Sequence, residues 1–378
     1  MLRRLVKLIW LCCAFAVLPA HADDGGSWVY FGTRATGAGT GIVAASLDSS
    51  GHLTPVGVVS DINRATWLIP HPTLPILYAA SDPGTTTPST VFSLAVDRTT
   101  GALTVKNSAL SGGIGATHMA VDDCLQSLFV AHFGSGQVSW MSILPDGSMG
   151  TLLSVQQQYG TGPNPRQTSP HAHGVAVDPT KRFLIANDFG ADRIFTYRLD
   201  TVADQLVPTT PPYWSAPAGS GPRHPLFHPY APYLYVVSEL AASVTSFRWD
   251  PWTATLSPVQ TVAMGAPTYT GLASASQIQI SRDGRFLYAA NRGSNSMEVY
   301  SINVWTGTLT LIQTIPCPGV TPWDFALDPT GRWLVVAMNT SNSISEFAVN
   351  RFTGLLTVTA ETLSLPQPSN VAFMRADN

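Results

Sequence analysis

A turn followed by Leu-Thr, or a close variant of it, returns seven times along the chain. The copies are SSGHLTPVG (Leu53), TTGALTV (Leu103), PDGSMGTLL (Met149), VADQLVP (Leu206), WTATLSPVQ (Leu256), WTGTLTLIQ (Leu309) and FTGLLTV (Leu356), at intervals of 50, 46, 57, 50, 53 and 47 residues. A hairpin recurs with the same period, clearest in SRDGRFLYAANR and DPTGRWLVVAMN. A third element is an alternating strand such as NSMEVYSINV or ASVTSFRWD. Each period therefore holds four short strands. Repeats of this kind predict a β-propeller, in which each four-stranded blade buries its faces against its neighbours.

Seven Leu-Thr elements predict seven blades of four antiparallel strands. The hairpin occurs only six times. The chain opens with SWVYFGT, a second strand without a first, and ends with PSNVAFM, a first strand without a second. The C-terminal strand is therefore expected to join the N-terminal blade and close the ring. With 31 Gly, 29 Pro and no long 3.6-residue apolar periodicity after the N-terminus, the fold class is all-β. One domain, residues 23–378, is expected.

Residues 1–22 read as a secretory signal. Arg3, Arg4 and Lys7 form a basic start, Leu8 to Leu18 an apolar core, and Ala20-His21-Ala22 a small-residue cleavage site. The expected location is periplasmic or secreted, with no membrane association after cleavage and a monomeric protein. Two cysteines then remain, Cys124 and Cys317, expected as two buried thiols rather than a disulfide. The formal net charge is −3 and no Lys/Arg cluster points to nucleic acid.

The topology gathers particular residues. The start of each first strand and the end of each second strand meet at one rim. Aligned on the hairpin, the first-strand starts carry Thr66, Thr117, His173, Arg223, Ser276 and Trp323. The positions after them carry Trp67, His118, Gly174, His224, Gln277 and Asp324. The second-strand ends include Asp82, Phe133, Asp188, Glu239, Arg292 and Asn339. In a chain only 11% charged, two arginines, a glutamate and several histidines converge on one mouth. His171 stands two residues before His173, so the two imidazoles are expected to share a face.

The segments PNPRQTSPHAHGVAVDP, GADRIFTYRLD, GPRHPLFHP, DGRFLYAANRG and TPWDFALDPTGRWLVVA together resemble the seven-bladed propeller lactonases of the 6-phosphogluconolactonase type, relatives of the fungal carboxymuconate cyclase. The resemblance spans the chain after the leader. It implies central-cleft residues at His173 with His171 beside it, Arg223, Glu239 and Arg292. It also implies a small-molecule lactone or anionic sugar acid as partner, and no cofactor. The chain departs from the pattern at Gln277-Ile278-Gln279, where relatives commonly read Glu-Ile-His, at Trp323 in place of the Arg of TPRDF, and at Met338 in place of Asn. Loss of that Arg argues against a phosphosugar acid held as relatives hold it.

Lactone hydrolysis needs an activated water and stabilisation of a tetrahedral oxyanion. Arg223 and Arg292 offer forked donors. His173 is expected as base ahead of Glu239, which would otherwise pin an arginine. His171, Gln277, Gln279 and Trp323 are expected to contact substrate. His-x-His with an acid is a possible Zn²⁺ set, but spacing fixes no third nitrogen or sulphur ligand and two arginines oppose a cation, so no metal is expected. Two other readings stand beside hydrolysis: a propeller that has lost catalysis and serves as an exported binding module, favoured by the three substitutions Gln277, Gln279 and Trp323, and a muconate cycloisomerase using the same arginines.

Overall fold

A computed structural model describes residues 26–377, apart from residues 38, 85 and 266–269. The expected leader lies outside the described residues. The described chain forms seven four-stranded antiparallel sheets and no helix. Six blades are continuous in sequence: residues 65–110, 116–157, 172–215, 222–263, 275–316 and 322–364. They are numbered two to seven here. Blade one is built from both ends of the chain. Its innermost strand is Pro368–Arg375, which pairs with Ser27–Thr33 and is followed outward by Ile42–Leu47 and Leu53–Ser60. This is the ring closure read from the split hairpin.

Burial follows strand order. Each second strand reads as a continuous apolar run and is buried on both faces, as in Tyr233–Ser238 and Phe286–Asn291. Each outermost strand alternates between covered and exposed residues, as in Leu309–Pro316. The Leu of the repeated Leu-Thr element is buried in most blades: Leu53, Leu206, Leu309 and Leu356 are at most 3% exposed.

The turn before that Leu locks neighbouring blades together. Its last residue has a left-handed backbone in every blade: Gly51, Gly101, Gly147, Asp204, Ala254, Gly307 and Gly354. Beyond the backbone demand there is a steric one. A Cβ on Gly307 would lie 2.4 Å from the Tyr233 ring of the preceding blade, and one on Gly354 would lie 2.4 Å from Phe286. The first aromatic residue of each of those second strands thus packs onto the next blade's turn, and Tyr233 donates to Trp305 O at 2.6 Å.

Both remaining cysteines are free, as a pair of thiols would be. The expectation that both are buried is corrected: Cys317 is half-buried, and the larger departure is Cys124. It is exposed, because it lies in the tight turn linking Ala116–Asp122 to Ser127–His132 rather than in a strand.

Candidate functional site

Every innermost strand slips register by one residue near its start. The slips bracket Thr66, Thr117, His173, Arg223, Ser276, Trp323 and Ser369. A bulge twists the strand and re-aims successive side chains. Here it happens seven times on one rim. A second regularity marks the same end: the residue after each second strand donates its N–H to the residue ahead of the innermost strand. These donors are Arg34, Asp82, Phe133, Phe189, Glu239, Arg292 and Asn339, at 2.7–3.2 Å.

Three bulge residues act between blades. Thr66 Oγ1 donates to Ala116 O at 2.7 Å, Ser276 Oγ to Pro322 O at 2.7 Å, and Ser369 Oγ to Ala65 O at 3.4 Å. The positions after the bulges plug the channel. Asp324 Oδ1 accepts from Gln277 Nε2, and Asp324 Oδ2 accepts from Asn370 Nδ2 and Val371 N, all at 2.8 Å. Asn370 Oδ1 in turn accepts from Leu68 N at 2.9 Å. Trp67, His118 and His224 complete the plug, with ring centroids 4.3–5.3 Å apart. Burial lifts the Asp324 carboxyl to about 7, against the pull of the Val371 N–H and Arg223.

Above the plug lies a cavity of about 370 Å³ to which all seven blades contribute. Its walls hold four arginines, Arg34, Arg64, Arg166 and Arg292, and two acids, Asp82 and Glu239. Asp82 pairs with Arg64 at 3.4 Å. Glu239 is 2% exposed and is the hub of the other charges. Its Oε2 lies 2.7 Å from Arg292 Nη2, 3.2 Å from Arg223 Nε and 3.8 Å from His173 Nε2, and its Oε1 lies 2.8 Å from Arg166 Nη1. Burial alone would raise its pKa, but Arg292 and Arg223 outweigh burial and hold it down to about 2. His173 goes the other way: burial, then the Arg223 charge, lowers its pKa well below that of a free imidazole. At neutral pH the pair is therefore a carboxylate and a neutral ring.

The structure brings together His173, Glu239, Arg292 and Trp323 at the cavity wall. Arg223 lies beneath, only 3% exposed. It reaches Glu239 and donates to Ser276 O at 2.5 Å, so it touches the carboxylate rather than the cavity. His171 and His173 both pack on Phe133, at 4.4 and 5.3 Å between centroids. His171 Nδ1 donates to Phe133 O at 2.6 Å. His171, Gln277 and Gln279 are not cavity-lining residues, contrary to their expected contact with substrate. Gln277 is engaged with Asp324 and His224 in the plug, and Gln279 Oε1 accepts from Leu327 N of the next blade at 2.7 Å.

Three cavity arginines escaped the sequence reading. Arg34 follows Thr33 as Glu239 follows Ser238, but its blade begins with no first strand to align on. Arg64 precedes Thr66 by the interval that separates His171 from His173. Arg166 sits on the loop before blade four with a 56% exposed side chain, where no periodicity points inward. Trp323 takes cations from two blades: the guanidinium carbon of Arg292 lies 4.8 Å from its ring centre and that of Arg34 lies 5.5 Å away. Among the described residues the one group with metal-ligand spacing is Asp122, Asp123 and Cys124, on the turn that carries Cys124, and Asp122 is already paired with Lys181.

Residues 28–373 match the family described as "Lactonase, 7-bladed beta-propeller". The chain belongs to the seven-bladed β-propeller lactonase family. Among its relatives, a 6-phosphogluconolactonase of Bacillus subtilis is 31% identical over 349 residues, 91% of this chain and 97% of the relative. A 6-phosphogluconolactonase of Formosa agariphila is 28% identical, covering 77% of this chain and 83% of the relative. Among solved lactonase structures, the periplasmic gluconolactonase of Pseudomonas aeruginosa superposes with a TM-score of 0.88 at 26% identity, over 93% of this chain and all of that one.

Proposed function

We propose that the chain hydrolyses a sugar-acid lactone in the rim cavity without a metal, as an exported member of its family. The observation that carries this reading is Glu239 held among Arg166, Arg223 and Arg292 beside a neutral imidazole. His173 takes a proton from water, whose oxygen attacks the lactone acyl carbon. Arg292 and Arg166 meet the charge that develops on the carbonyl oxygen. The ring C–O bond then breaks and the alkoxide regains the proton, giving the open hydroxy acid. Glu239 faces the imidazolium formed midway and fixes both arginines.

Two of the three departures that favoured an inactive propeller, Gln277 and Gln279, lie off the cavity, which supports catalysis. The third, Trp323, carries Arg34 over its ring, so a cation from blade one stands near the position where relatives have theirs. Arg34 makes no close ion pair among the described residues; Arg64 is near it, and Asp82 acts on it from further off. This wall suits a lactone bearing an anionic substituent, 6-phosphogluconolactone included. A periplasmic setting is supported by the leader-like N-terminus and by the Pseudomonas neighbour.

The test is hydrolysis of glucono-1,5-lactone and 6-phosphogluconolactone by purified mature protein, beside Arg292→Ala and His173→Asn. Turnover above the spontaneous rate that falls on the order of 10²-fold in each variant is expected. Turnover unchanged in both variants would remove the site.

A further inference from the structure

At the end of the wheel away from the cavity, the turns that link third to fourth strands follow one template. An Asp or Asn side chain caps the turn by accepting the N–H two residues on. The residue so held is Ser50 in blade one, Thr99 in blade two and Ser148 in blade three. In the next four blades it is Val202, Trp252, Trp305 and Phe352. These four side chains are 95%, 86%, 87% and 83% exposed. Scattered surface apolar residues need no explanation. Four in the same register on four adjacent blades, with hydroxyl residues at that position in the other three, form a built arc.

Cations accompany the arc. Arg182 lies with its guanidinium 5.4 Å from the Trp252 ring centre and donates to Pro251 O. Arg285 donates to Arg351 O at 2.7 Å, next to Phe352, and Arg282 donates to Pro329 O. Arg285 is paired with Asp283 and Arg198 with Asp200. Arg182, Arg282, Arg332 and Arg351 have no acid partner among the described residues. A chain of net charge −3 thus places arginines that make no ion pair beside its most exposed aromatic side chains, with Asp200 and Asp250 capping two turns of the same arc.

We propose that this face docks on a membrane surface rich in anionic lipid headgroups, with Trp252, Trp305 and Phe352 entering the interface and the arginines meeting lipid phosphates. Charge complementarity selects this occupant, since indoles favour the headgroup boundary and arginines are drawn to an anionic leaflet. The geometry fits a planar partner: the apolar groups stand singly on turn tips instead of merging into a patch that a protein partner would cover. The capped turns, each backed by a left-handed residue, hold the side chains ready, so little order is lost on docking. No helix among the described residues is long and apolar enough to cross a bilayer.

The experiment is sedimentation of the mature protein with vesicles of phosphatidylcholine alone and of phosphatidylcholine mixed with phosphatidylglycerol. Binding to the mixed vesicles at low salt, weakened as salt rises, is expected. W252A/W305A/F352A should weaken it about tenfold or more, and R282Q/R351Q should weaken it and flatten the salt dependence. Circular dichroism confirms that the variants are folded. Absence of binding to anionic vesicles at low salt overturns the proposal. So does a concentration-dependent dimer that W252A/W305A/F352A abolishes, which would make a second copy the occupant. Neither readout depends on lactone hydrolysis.

Discussion

Arg292 Nη2 lies 2.7 Å from Glu239 Oε2, and the same guanidinium covers the Trp323 ring. One arginine thus joins the acid of blade five to the indole of blade seven. Removing the acid strands more than one cation. Arg223 is fully enclosed, and burial, then the Arg292 charge, lowers its own pKa to about 9 while Glu239 holds it up. Glu239→Gln is expected to destabilise the fold by about 3–5 kcal/mol, because it leaves a buried guanidinium without a counter-charge. Urea unfolding measures this. Glu239→Gln/Arg223→Met should recover part of the loss.

The pH dependence of stability follows from the same carboxylate. Its folded pKa of about 2 is below the ordinary glutamate value of 4.5. A depressed carboxyl adds stability above its unfolded pKa and loses that contribution as pH falls through the folded pKa. The difference in unfolding free energy between the native protein and Glu239→Gln should therefore be flat above pH ~5 and shrink towards pH ~2. A difference that stays constant through this window would refute the charge assignment.

Activity should hold at mildly acidic pH. Burial keeps His173 neutral below the ordinary imidazole range, so the base remains unprotonated where a free histidine would be charged. The acid limb of kcat/KM is expected below pH ~6.5, the unperturbed histidine value. A limb at or above that value would move the base elsewhere.

Arg34 offers a separation of binding from turnover. Arg34→Ala is expected to raise KM for 6-phosphogluconolactone about tenfold, the loss of one charge-assisted contact, and to leave kcat nearly unchanged. KM for the uncharged gluconolactone should move little. Equal effects on both substrates would argue that Arg34 only supports Trp323.

The plug can be tested without touching the cavity. Both Asp324 oxygens accept hydrogen bonds, three in total, from Gln277, Asn370 and Val371. Asp324→Asn replaces one acceptor with a donor and should cost about 1–3 kcal/mol in urea unfolding. KM for either lactone should be unaffected.

The wheel was legible because its repeat is written in residues that cannot vary freely. A left-handed turn against an aromatic ring calls for Gly, and a buried fourth-strand position calls for Leu. His173, Glu239, Arg292 and Trp323 could be placed on the mouth because hairpin register alone carries them there. The bulges were not legible, since a one-residue slip leaves no trace in composition, so the sequence could not assign Gln277, at the position after one, to the plug rather than to the cavity. Arg34 was hidden by the split blade, and Arg166 by its irregular loop. Cys124 was misplaced because its hydrophobic character says nothing about the turn it occupies.

The strand Pro368–Arg375 comes last in the chain, yet it supplies the innermost layer of the first blade and, through Ser369 and Asn370, parts of the rim and the plug. Until the ribosome has released nearly the whole polypeptide, Ser27–Thr33 lacks its inner partner. A nascent chain so constructed cannot close its wheel until its tail has been made, so the ring forms only after synthesis is nearly complete.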